Sequence, residues 1–529
     1  MGMRTLIQRT VFGVFLLAVS FGASASPNLI VIMCDDLGYA DVGFNGSEEI
    51  PTPNIDRIAR GGVKCTSGYV PYAVCSPSRA GFITGRYGQR FGYERNAQYR
   101  TDDPNMGLAK EERTIADVLQ PVGYTSGIIG KWHLGAHANN HPLNRGFNFF
   151  YGHLGGGHRY FPVDLIHEDS YAIETEADSY RTWILRNHEA VPPRKYLTDE
   201  FSEAAVEFIE TEHDNPFFLF LSYNAPHNPL QATEKYLSRF PDMEDGKRKT
   251  YAAMVSAIDD GVGLLLDKLD ELKLMENTIV FFLSDNGGPE HANASDNGAL
   301  RGGKGDVWEG GYRVPFAVQW KGTLPAGSEY DQPVSSLDIL ATIAELADAS
   351  VDPARPLDGV NLIPYLTGEK DGSPHDAIYL RKFDQQKYAV RCGDYKLLIP
   401  YENAASLLYD LSADIGEVDN VADEHPDTLE RLEGLRVQWN SELIEPRFLG
   451  LIHRPGWKER AEKKRKASSK WFSDMDTNGD DHLTEAEWVA EREAGAKLNR
   501  NNMQSMDFLN VDIDDDGVVT REEFDVSIK

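Results

Sequence analysis

The chain has 529 residues, 83 acidic against 53 basic side chains, a formal net charge of −30 and four cysteines. Its length is several times the ~100–150 residues of a typical domain, which predicts a large core with appended modules and excludes disorder throughout. The acidic balance excludes a general nucleic-acid binder, because counterion release at phosphates requires a basic surface, and so few cysteines exclude a disulfide framework.

Residues 1–25 have the pattern of a signal peptide. Arg4 and Arg9 precede the apolar run of residues 11–21, and small residues at 23–25 offer a cleavage site. A membrane anchor is the alternative, but the apolar core is shorter than the ~20 residues that span a bilayer. We therefore expect an exported protein, periplasmic or secreted, with no stable membrane insertion.

Short apolar runs bounded by turn residues recur along the next part of the chain. They are Leu29–Cys34, the weaker run Tyr124–Gly130, Pro216–Tyr223 and Thr278–Ser284. Helical patterns such as that of residues 252–272 separate them, so the runs predict strands buried on both faces of a parallel sheet. We expect an α/β fold with a large mixed, mainly parallel sheet flanked by helices.

Each of these runs is followed directly by polar residues. The polar clusters are Asp35 with Asp36, Lys131 with His133, His227, and Asp285 with Asn286. Ligands bind beyond the carboxyl ends of the strands in open parallel sheets, so the four clusters should converge on one site. The carboxylate and amide oxygens suit calcium, with magnesium as a less favoured alternative.

From about residue 373 the sequence pattern changes to that of alternating strands and turns, and a helical pattern follows at residues 426–443. This predicts a smaller C-terminal antiparallel sheet with a packing helix. The expected division of the chain is a signal peptide (1–25), a catalytic domain (26–372), a C-terminal subdomain (373–450), a basic linker (451–470) and a helical EF-hand pair (471–529). The linker is either a solvated connection or a docking segment for an anionic polymer or the acidic tail.

The tail contains two twelve-residue loops with oxygen ligands at matching positions. The ligands are Asp476, Asn478, Asp480 and Glu487 in the first loop and Asp512, Asp514, Asp516 and Glu523 in the second. This spacing predicts a calcium-binding EF-hand pair, with Leu483 and Val519 at position 8 pairing the loops. A solvated acidic tail is the alternative, and Glu at position 12 argues against a dockerin-like module. The first loop has Asp481 where the sharp turn favours glycine.

Residues 75–85 read CSPSRAGFITG. Considered alone, Cys75 is a structural thiol or a disulfide partner. Arg79 lies one helical turn away if a helix begins near Pro77, close enough to stabilise an anion at position 75.

This segment resembles the signature of the type I sulfatases, a formylglycine-dependent family of the alkaline phosphatase superfamily. Further motifs occur in the family's order: PNLIVIMCDDLGYAD at 27–41, GKWHLG at 130–135, APHNP at 225–229, SDNGG at 284–288 and RGGKGDVWEGGYRVPF at 301–316. The resemblance extends from residue 27 to about residue 443. It implies an alkaline-phosphatase-like fold and a sulfuric ester hydrolase.

The resemblance also implies roles for the site residues. Cys75, oxidised to formylglycine by a formylglycine-generating or maturase enzyme, is implied to join Asp35, Asp36, Asp285 and Asn286 as metal ligands. The aldehyde hydrates to a gem-diol, and the metal lowers the pKa of one hydroxyl for attack on sulfur.

The cationic motif residues are implied to bind the sulfuryl oxygens and to move protons. Arg79, Lys131 and Lys304 supply fixed positive charge. His227 or Lys304 is implied to protonate the departing oxygen, while His133 takes a proton from the second hydroxyl.

Substrate identity has weaker support. The segment of residues 144–160 is rich in glycine, aromatic and cationic residues, and His158 or Arg159 would bind a neighbouring sulfate or carboxylate of a sugar. Ordinary loop packing is the alternative. The export signal and calcium loops favour a sulfated carbohydrate substrate. The competing hypotheses are a phosphate or phosphonate monoester hydrolase on the same fold and a non-catalytic calcium-dependent glycan-binding protein.

The remaining cysteines permit one disulfide at most once residue 75 is converted. Cys65 and Cys392 are the candidate pair. Cys34 stands where the resembled family usually has a small residue, directly before the metal carboxylates, so its oxidation would disturb the site.

Overall fold

The computed structural model describes residues 26–162, 182–450, 453, 472–484, 486–488, 490, 518–520 and 524. The predicted signal peptide and almost all of the basic linker lie outside these residues. So do the ligands predicted in the second EF-hand loop, Asp512, Asp514, Asp516 and Glu523. Among the described residues, no helix has the length and apolar character needed to cross a membrane.

The strands are β1 Asn28–Cys34, β2 Val63–Cys65, β3 Gly68–Tyr69, β4 Thr125–Lys131, β5 Phe149–His153, β6 Leu185–Arg186, β7 Glu189–Ala190, β8 Phe217–Ser222, β9 Thr278–Ser284, β10 Phe316–Gln319, β11 Ser328–Tyr330, β12 Val334–Ser335, β13 Ile378–Lys382, β14 Lys387–Cys392, β15 Tyr395–Ile399, β16 Leu407–Asp410, β17 His482–Thr484 and β18 Val518–Thr520. The α-helices are α1 Ile55–Arg60, α2 Cys75–Thr84, α3 Ile115–Leu119, α4 Leu197–Glu212, α5 Glu234–Leu237, α6 Lys247–Glu271, α7 Glu290–Asn293, α8 Glu309–Tyr312, α9 Asp338–Leu346, α10 Ile363–Leu366 and α11 Pro426–Ser441.

The large sheet has the strand order β11-β2-β10-β9-β1-β8-β4-β5-β6-β7. Its central strands β9, β1, β8, β4 and β5 run parallel to one another. Strand β10 is antiparallel to β9 and β2, and β6 is antiparallel to β5 and β7. The predicted mixed, mainly parallel sheet is confirmed, and the four apolar runs form the four adjacent strands β9, β1, β8 and β4.

Strand β1 is buried on both faces, which explains its unbroken apolar sequence. Alternate side chains enter different cores, because the side-chain period of a strand is two. Ile30 and Ile32 lie in the core cluster that contains apolar residues of α4 and α6. Leu29 and Val31 lie in the cluster that contains residues of α2 and α9. The sheet is therefore a central layer between helices.

The C-terminal sheet is antiparallel, in the order β13-β14-β15-β16. Leu432 of α11 is buried with Val390, Leu397 and Leu408 of this sheet. The predicted antiparallel sheet with its packing helix is therefore confirmed.

The predicted pairing of Cys65 with Cys392 is wrong, and all four cysteines are free. Cys65 is buried in the core beneath the large sheet, on β2. Cys392 packs against the separate core of the C-terminal sheet, where its sulfur accepts a hydrogen bond from Arg431 at 3.0 Å. The two thiols belong to different hydrophobic cores and do not meet.

The described part of the tail has features of the predicted first loop. Strand β17 pairs with β18 so that Leu483 lies opposite Val519, as position 8 of the two loops predicts. The Asp476 carboxylate accepts the backbone N–H groups of Gly479 and Asp481 at 2.7 and 3.0 Å, and Asp481 has a φ of 65°. The helical EF-hand pair itself stays a prediction.

A buried ion pair joins α9 to the segment that precedes the C-terminal sheet. His375 Nε2 lies 2.8 and 3.0 Å from the two carboxylate oxygens of Asp338, the first residue of α9. Burial alone would lower the pKa of His375, but the Asp338 carboxylate opposes this and the net shift is upward. The charged imidazolium is therefore the form that stabilises this contact.

Substituting His375→Gln should reduce thermal stability more at low than at high pH. A folded-state pKa above the unfolded value gives a stabilisation that is complete below the unfolded pKa and lost as pH rises through the folded pKa. We expect the difference in Tm between wild type and variant to shrink as pH rises above about 6.5, the ordinary pKa of histidine, and through the raised pKa of His375. Calorimetry at several pH values checks this, with the exposed His291→Gln as control. A constant difference across that range would contradict the assignment.

Candidate active site

The polar clusters that follow the central strands meet at the carboxyl edge of the large sheet. Strand β1 leads into Asp35 and Asp36, and β9 leads into Asp285 and Asn286. The backbone N–H of Asp36 donates to Asp285 Oδ1 at 3.3 Å, and that of Asp35 donates to the Ala225 carbonyl at 3.1 Å. The predicted convergence of the clusters on one edge is therefore observed.

Asp35 lies between residue 75 and a lysine. Lys131 Nζ is 2.7 Å from Asp35 Oδ2, and both side chains are fully buried. The Cys75 thiol lies 3.4 Å from the other carboxylate oxygen. Lys131 reaches this position from the end of β4, where Gly130 has a φ of 108° and a Cβ would lie 1.9 Å from the Ser222 carbonyl oxygen. Only glycine permits β4 and β8 to approach so closely.

Asp36 is surrounded by three further site residues. Lys304 Nζ lies 2.7 Å from Oδ1, Asn286 Nδ2 donates to Oδ1 at 2.7 Å, and His227 Nε2 lies 3.6 Å from Oδ2. Burial alone would raise the pKa of Asp36, but Lys304 and His227 lower it to about 2. Asp36 is therefore an anion at neutral pH.

Arg79 is held from three sides within the site. Its Nε donates to Asp285 Oδ2 at 2.8 Å, and its Nη1 donates to Ser222 Oγ and to the Lys131 carbonyl. Its buried Nη2 has no hydrogen-bond partner among the described residues. Burial and the neighbouring Asp35 raise the pKa of Asp285 to about 6 despite this guanidinium.

Residue 75 begins α2, and Arg79 lies one turn further along the same helix, as the motif predicts. Burial raises the pKa of the Cys75 thiol to about 12, although Lys131 and Lys304 oppose the shift. An unmodified thiol at this position is neutral at physiological pH and a weak nucleophile.

The two histidines have different surroundings. His133 is buried, and neither ring nitrogen has a hydrogen-bond partner among the described residues. Burial and the charge of Lys131 hold the pKa of His133 well below its usual range. His227 Nδ1 lies 2.6 Å from the Asn228 carbonyl, so Nδ1 carries the proton and Nε2 faces Asp36.

The donor set fits a hard cation. One ligand atom each from Asp35, Asp36, Cys75 and His227 lie within 4.8 Å of one another. The buried Asn286 Oδ1 has no partner among the described residues, as expected for an oxygen that serves an ion. Carboxylate and amide oxygens are the ligands that calcium prefers.

The sequence missed one neighbour of the site, Ser222, and a second possible role of His227. Ser222, the last residue of β8, accepts from Arg79 and donates to the Lys131 carbonyl at 2.6 Å. His227 lies close enough to the carboxylates to join a metal site, although the sequence assigned it to proton transfer alone. Ser222 lies next to the end of the predicted run Pro216–Tyr223, but a single serine there carries no distinctive signal.

The predicted substrate residues lie in the segment after β5. His158 is buried, and its ring nitrogens lie 2.9 and 2.7 Å from the carbonyl oxygens of Arg159 and Thr182. Its ring is therefore engaged with the backbone, whereas Arg159 is partly exposed. Their role in substrate binding stays a prediction.

Comparison with known proteins identifies the family. Residues 27–349 match the family model described as Sulfatase, and residues 303–439 match one described as N-sulphoglucosamine sulphohydrolase, C-terminal. Steryl-sulfatase of Homo sapiens is 31% identical over 69% of this chain and 74% of its own length. N-acetylgalactosamine-6-sulfatase of Mus musculus is 34% identical over 71% of this chain and 72% of its own length.

One solved structure is similar to this chain in both fold and sequence. Ps i-CgsB, solved in complex with k-i-k-neocarrahexaose, is 36% identical, with a TM-score of 0.75 over 82% of this chain and 98% of that chain. The matched regions include every polar cluster at the carboxyl edge and the segment that carries Lys304. The chain therefore belongs to the sulfatase family and is a sulfuric ester hydrolase.

Proposed function

We propose that this sulfatase hydrolyses sulfate monoesters on sulfated polysaccharides or oligosaccharides, with residue 75 as formylglycine and with a bound calcium ion. The observation that carries the proposal is a set of buried polar atoms of the site residues that have no hydrogen-bond partner within the part of the chain that the structure describes: Arg79 Nη2, both ring nitrogens of His133 and Asn286 Oδ1. Buried polar atoms are normally paired. Unpaired N–H groups that can bind an anion, together with an unpaired oxygen that can bind a cation, therefore indicate a site that binds both.

The neutral thiol of Cys75 supports conversion to formylglycine. A thiol with a raised pKa is a poor nucleophile, and hydrated formylglycine supplies one hydroxyl to attack sulfur and a second whose deprotonation releases sulfate. Conversion requires a formylglycine-generating or maturase enzyme as a partner. His133, held neutral by burial and by the nearby cations, is suited to take the second proton.

Asp35, Asp36, Asp285, Asn286 and residue 75 would hold the metal. A calcium ion there would stabilise negative charge on the sulfuryl group and on the attacking hydroxyl. Magnesium is less favoured, because it usually retains several water ligands and the buried ligands of this site leave little access to water.

Arg79, Lys131 and Lys304 would bind the sulfuryl oxygens. All three now contact carboxylates, so their charges are fixed in place before substrate arrives. Burial alone would lower the pKa of Lys304, but Asp36 raises it well above its usual value. Lys304 is therefore protonated at neutral pH and is our choice of general acid. Burial lowers the pKa of His227 to about 4, which makes it the second choice.

The carbohydrate substrate is supported by the 36% identity to a protein solved with a neocarrahexaose. The same proposal includes export to the periplasm or medium and calcium binding in the tail. It also includes the division of the chain into catalytic domain, C-terminal subdomain, linker and EF-hand pair. The pairing of Leu483 with Val519 supports the EF-hand pair. Arg159, partly exposed after β5, is the better of the two candidates for a second anionic group of the sugar.

Replacing Cys75→Ala should abolish desulfation of a panel of sulfated oligosaccharides, beginning with a neocarrahexaose, because the nucleophile is lost. Peptide mass spectrometry of active wild-type enzyme should show residue 75 lighter than cysteine, as an aldehyde. Cys392→Ala, which removes a thiol outside the site, is the matched control. Full activity with an unmodified thiol at position 75 would refute the mechanism.

Replacing Lys304→Ala should slow sulfate esters of alcohols by about 10²–10⁴-fold and affect esters of acidic phenols far less, since a good leaving group needs little protonation. His227→Ala should show a smaller difference between the two ester types. Kinetics of both variants on a matched series of leaving groups measure this. Equal losses on all esters would remove Lys304 from the general-acid role.

The tail should bind calcium weakly, with dissociation constants of ~10⁻⁴–10⁻³ M, and should be separable from catalysis. Asp481→Gly should tighten the first loop, because Asp481 occupies a left-handed conformation that costs an L residue about 1 kcal/mol. Glu487→Gln should weaken the same loop. Calorimetric titration of full-length variants, alongside a chain truncated after Ser469, tests both points. A folded truncation that no longer turns over a small aryl sulfate would contradict the division.

A further inference from the structure

The segment that carries Lys304 is held beside residue 75 by contacts on both of its sides. We call residues 301–312 the lysine loop. The N–H of Gly305 donates to the Ala73 carbonyl at 2.8 Å, two residues before Cys75, and the N–H of Lys304 lies 3.3 Å from the Gly288 carbonyl. These backbone contacts set where Lys304 emerges, although they do not explain what holds the far side of the loop.

The far side of the loop rests on a buried charge cluster of the C-terminal sheet. Lys396 Nζ, on β15, lies 3.0 Å from Glu309 Oε1 and 2.6 Å from Glu417 Oε1. All three side chains are 0% exposed. Glu309 belongs to the lysine loop, whereas Lys396 and Glu417 belong to the C-terminal region. The cluster therefore joins the loop to the second sheet.

Glu417 contacts both ends of the lysine loop. Its Oε2 accepts the backbone N–H of Glu309 at 2.6 Å, and its carbonyl accepts Arg301 Nη1 at 2.8 Å. The Arg301 guanidinium lies 4.0 Å from the centre of the Trp308 ring, and the N–H of Gly310 donates to the Arg301 carbonyl at 2.8 Å. Contacts within the loop thus hold its two ends together, and both ends are bound to Glu417.

The middle of the loop has a contact with the same sheet. Lys382, the last residue of β13, donates from Nζ to the Gly305 carbonyl. Gly305 follows Lys304 directly, so the peptide beside the proposed acid lies between the Ala73 segment and the C-terminal sheet. The backbone on the C-terminal side of Lys304 is therefore held by two other segments of the chain.

We propose that Glu417 and Lys396 are positioning residues for Lys304, which makes the C-terminal sheet a structural part of the proton-transfer machinery. This inference rests on the proposed function of Lys304. Burying an ammonium group and the carboxyl groups beside it is costly unless they are paired, and such clusters hold a single arrangement because a displacement leaves a buried polar group without its partner. A catalytic group must be held close to its productive geometry, and such an anchor does so for Lys304.

Glu417→Gln is the sharpest variant. The Glu309 N–H and Lys396 Nζ both donate toward residue 417, but a glutamine side chain has only one acceptor oxygen. Its NH2 group would therefore face one of these two donors, and that contact would be lost. Arg301→Met, at a partly exposed position, weakens the same anchor and serves if Glu417→Gln does not fold. Leu432→Ala is the matched control, because it opens a cavity under α11 in the C-terminal core without touching the lysine loop.

Two measurements on the full-length enzyme decide the proposal. Amide hydrogen exchange of residues 301–312 should rise in Glu417→Gln or Arg301→Met and stay unchanged in Leu432→Ala. The ratio kcat/KM should fall about 10- to 100-fold for sulfate esters of alcohols, with little change for esters of acidic phenols. Added to Lys304→Ala, Glu417→Gln should cause no further loss.

Unchanged loop exchange in both variants would overturn the proposal. Equal losses on both ester types, or a loss that multiplies with that of Lys304→Ala, would overturn it as well. The proposed acid role fails separately, if Lys304→Ala itself slows both ester types equally. In that case loop exchange still decides whether the C-terminal sheet holds the loop.

Discussion

The pairing of buried carboxylates with buried or partly buried cations at the carboxyl edge of the sheet is the constraint on which the site depends. The pairs are Asp35 with Lys131, Asp36 with Lys304 and Asp285 with Arg79. Removing charges from water is costly, so each carboxylate is stable there because a cation adjoins it. Together with burial, the same cations hold the pKa of His133 well below its usual range, and Lys304 favours the ionised form of Asp36. One set of charges thus determines which groups of the site carry protons.

Much of the fold followed from the sequence because its signals are local. An unbroken apolar run followed by polar residues marks a buried parallel strand and its carboxyl end, and β9 was predicted with its observed bounds, Thr278–Ser284. The spacing of Cys75 and Arg79 fixed their relation within one helix. In the tail, the regular spacing of the ligand loops was enough to predict that Leu483 pairs with Val519. In each case the information lies within a few residues or in a repeated spacing.

The remaining features depend on contacts between distant segments that have no local pattern. The pairing of Cys65 with Cys392 was wrong because two cysteines far apart in a sequence do not reveal which core each one enters. Ser222 ends a strand like many other residues, and its contacts with Arg79 and Lys131 depend on the strand order. The Glu309–Glu417 contact spans 108 residues and joins the lysine loop to the C-terminal region. Such contacts follow from packing, which the sequence pattern alone does not specify.

The burial of residue 75 bears on when this residue can be modified relative to folding of the chain. Cys75 is 2% exposed in the folded protein, so an enzyme that modifies it has no access once the site has closed. The site cannot close before these distant segments have been synthesised, because Asn286 reaches Asp36 across 250 residues and Glu417 lies still further along the chain. Joining ends so distant carries a large entropy cost, which makes such contacts slow to form. The proposed conversion of residue 75 to formylglycine therefore requires that the maturation enzyme act on the nascent or unfolded chain, before residue 417 has emerged and docked.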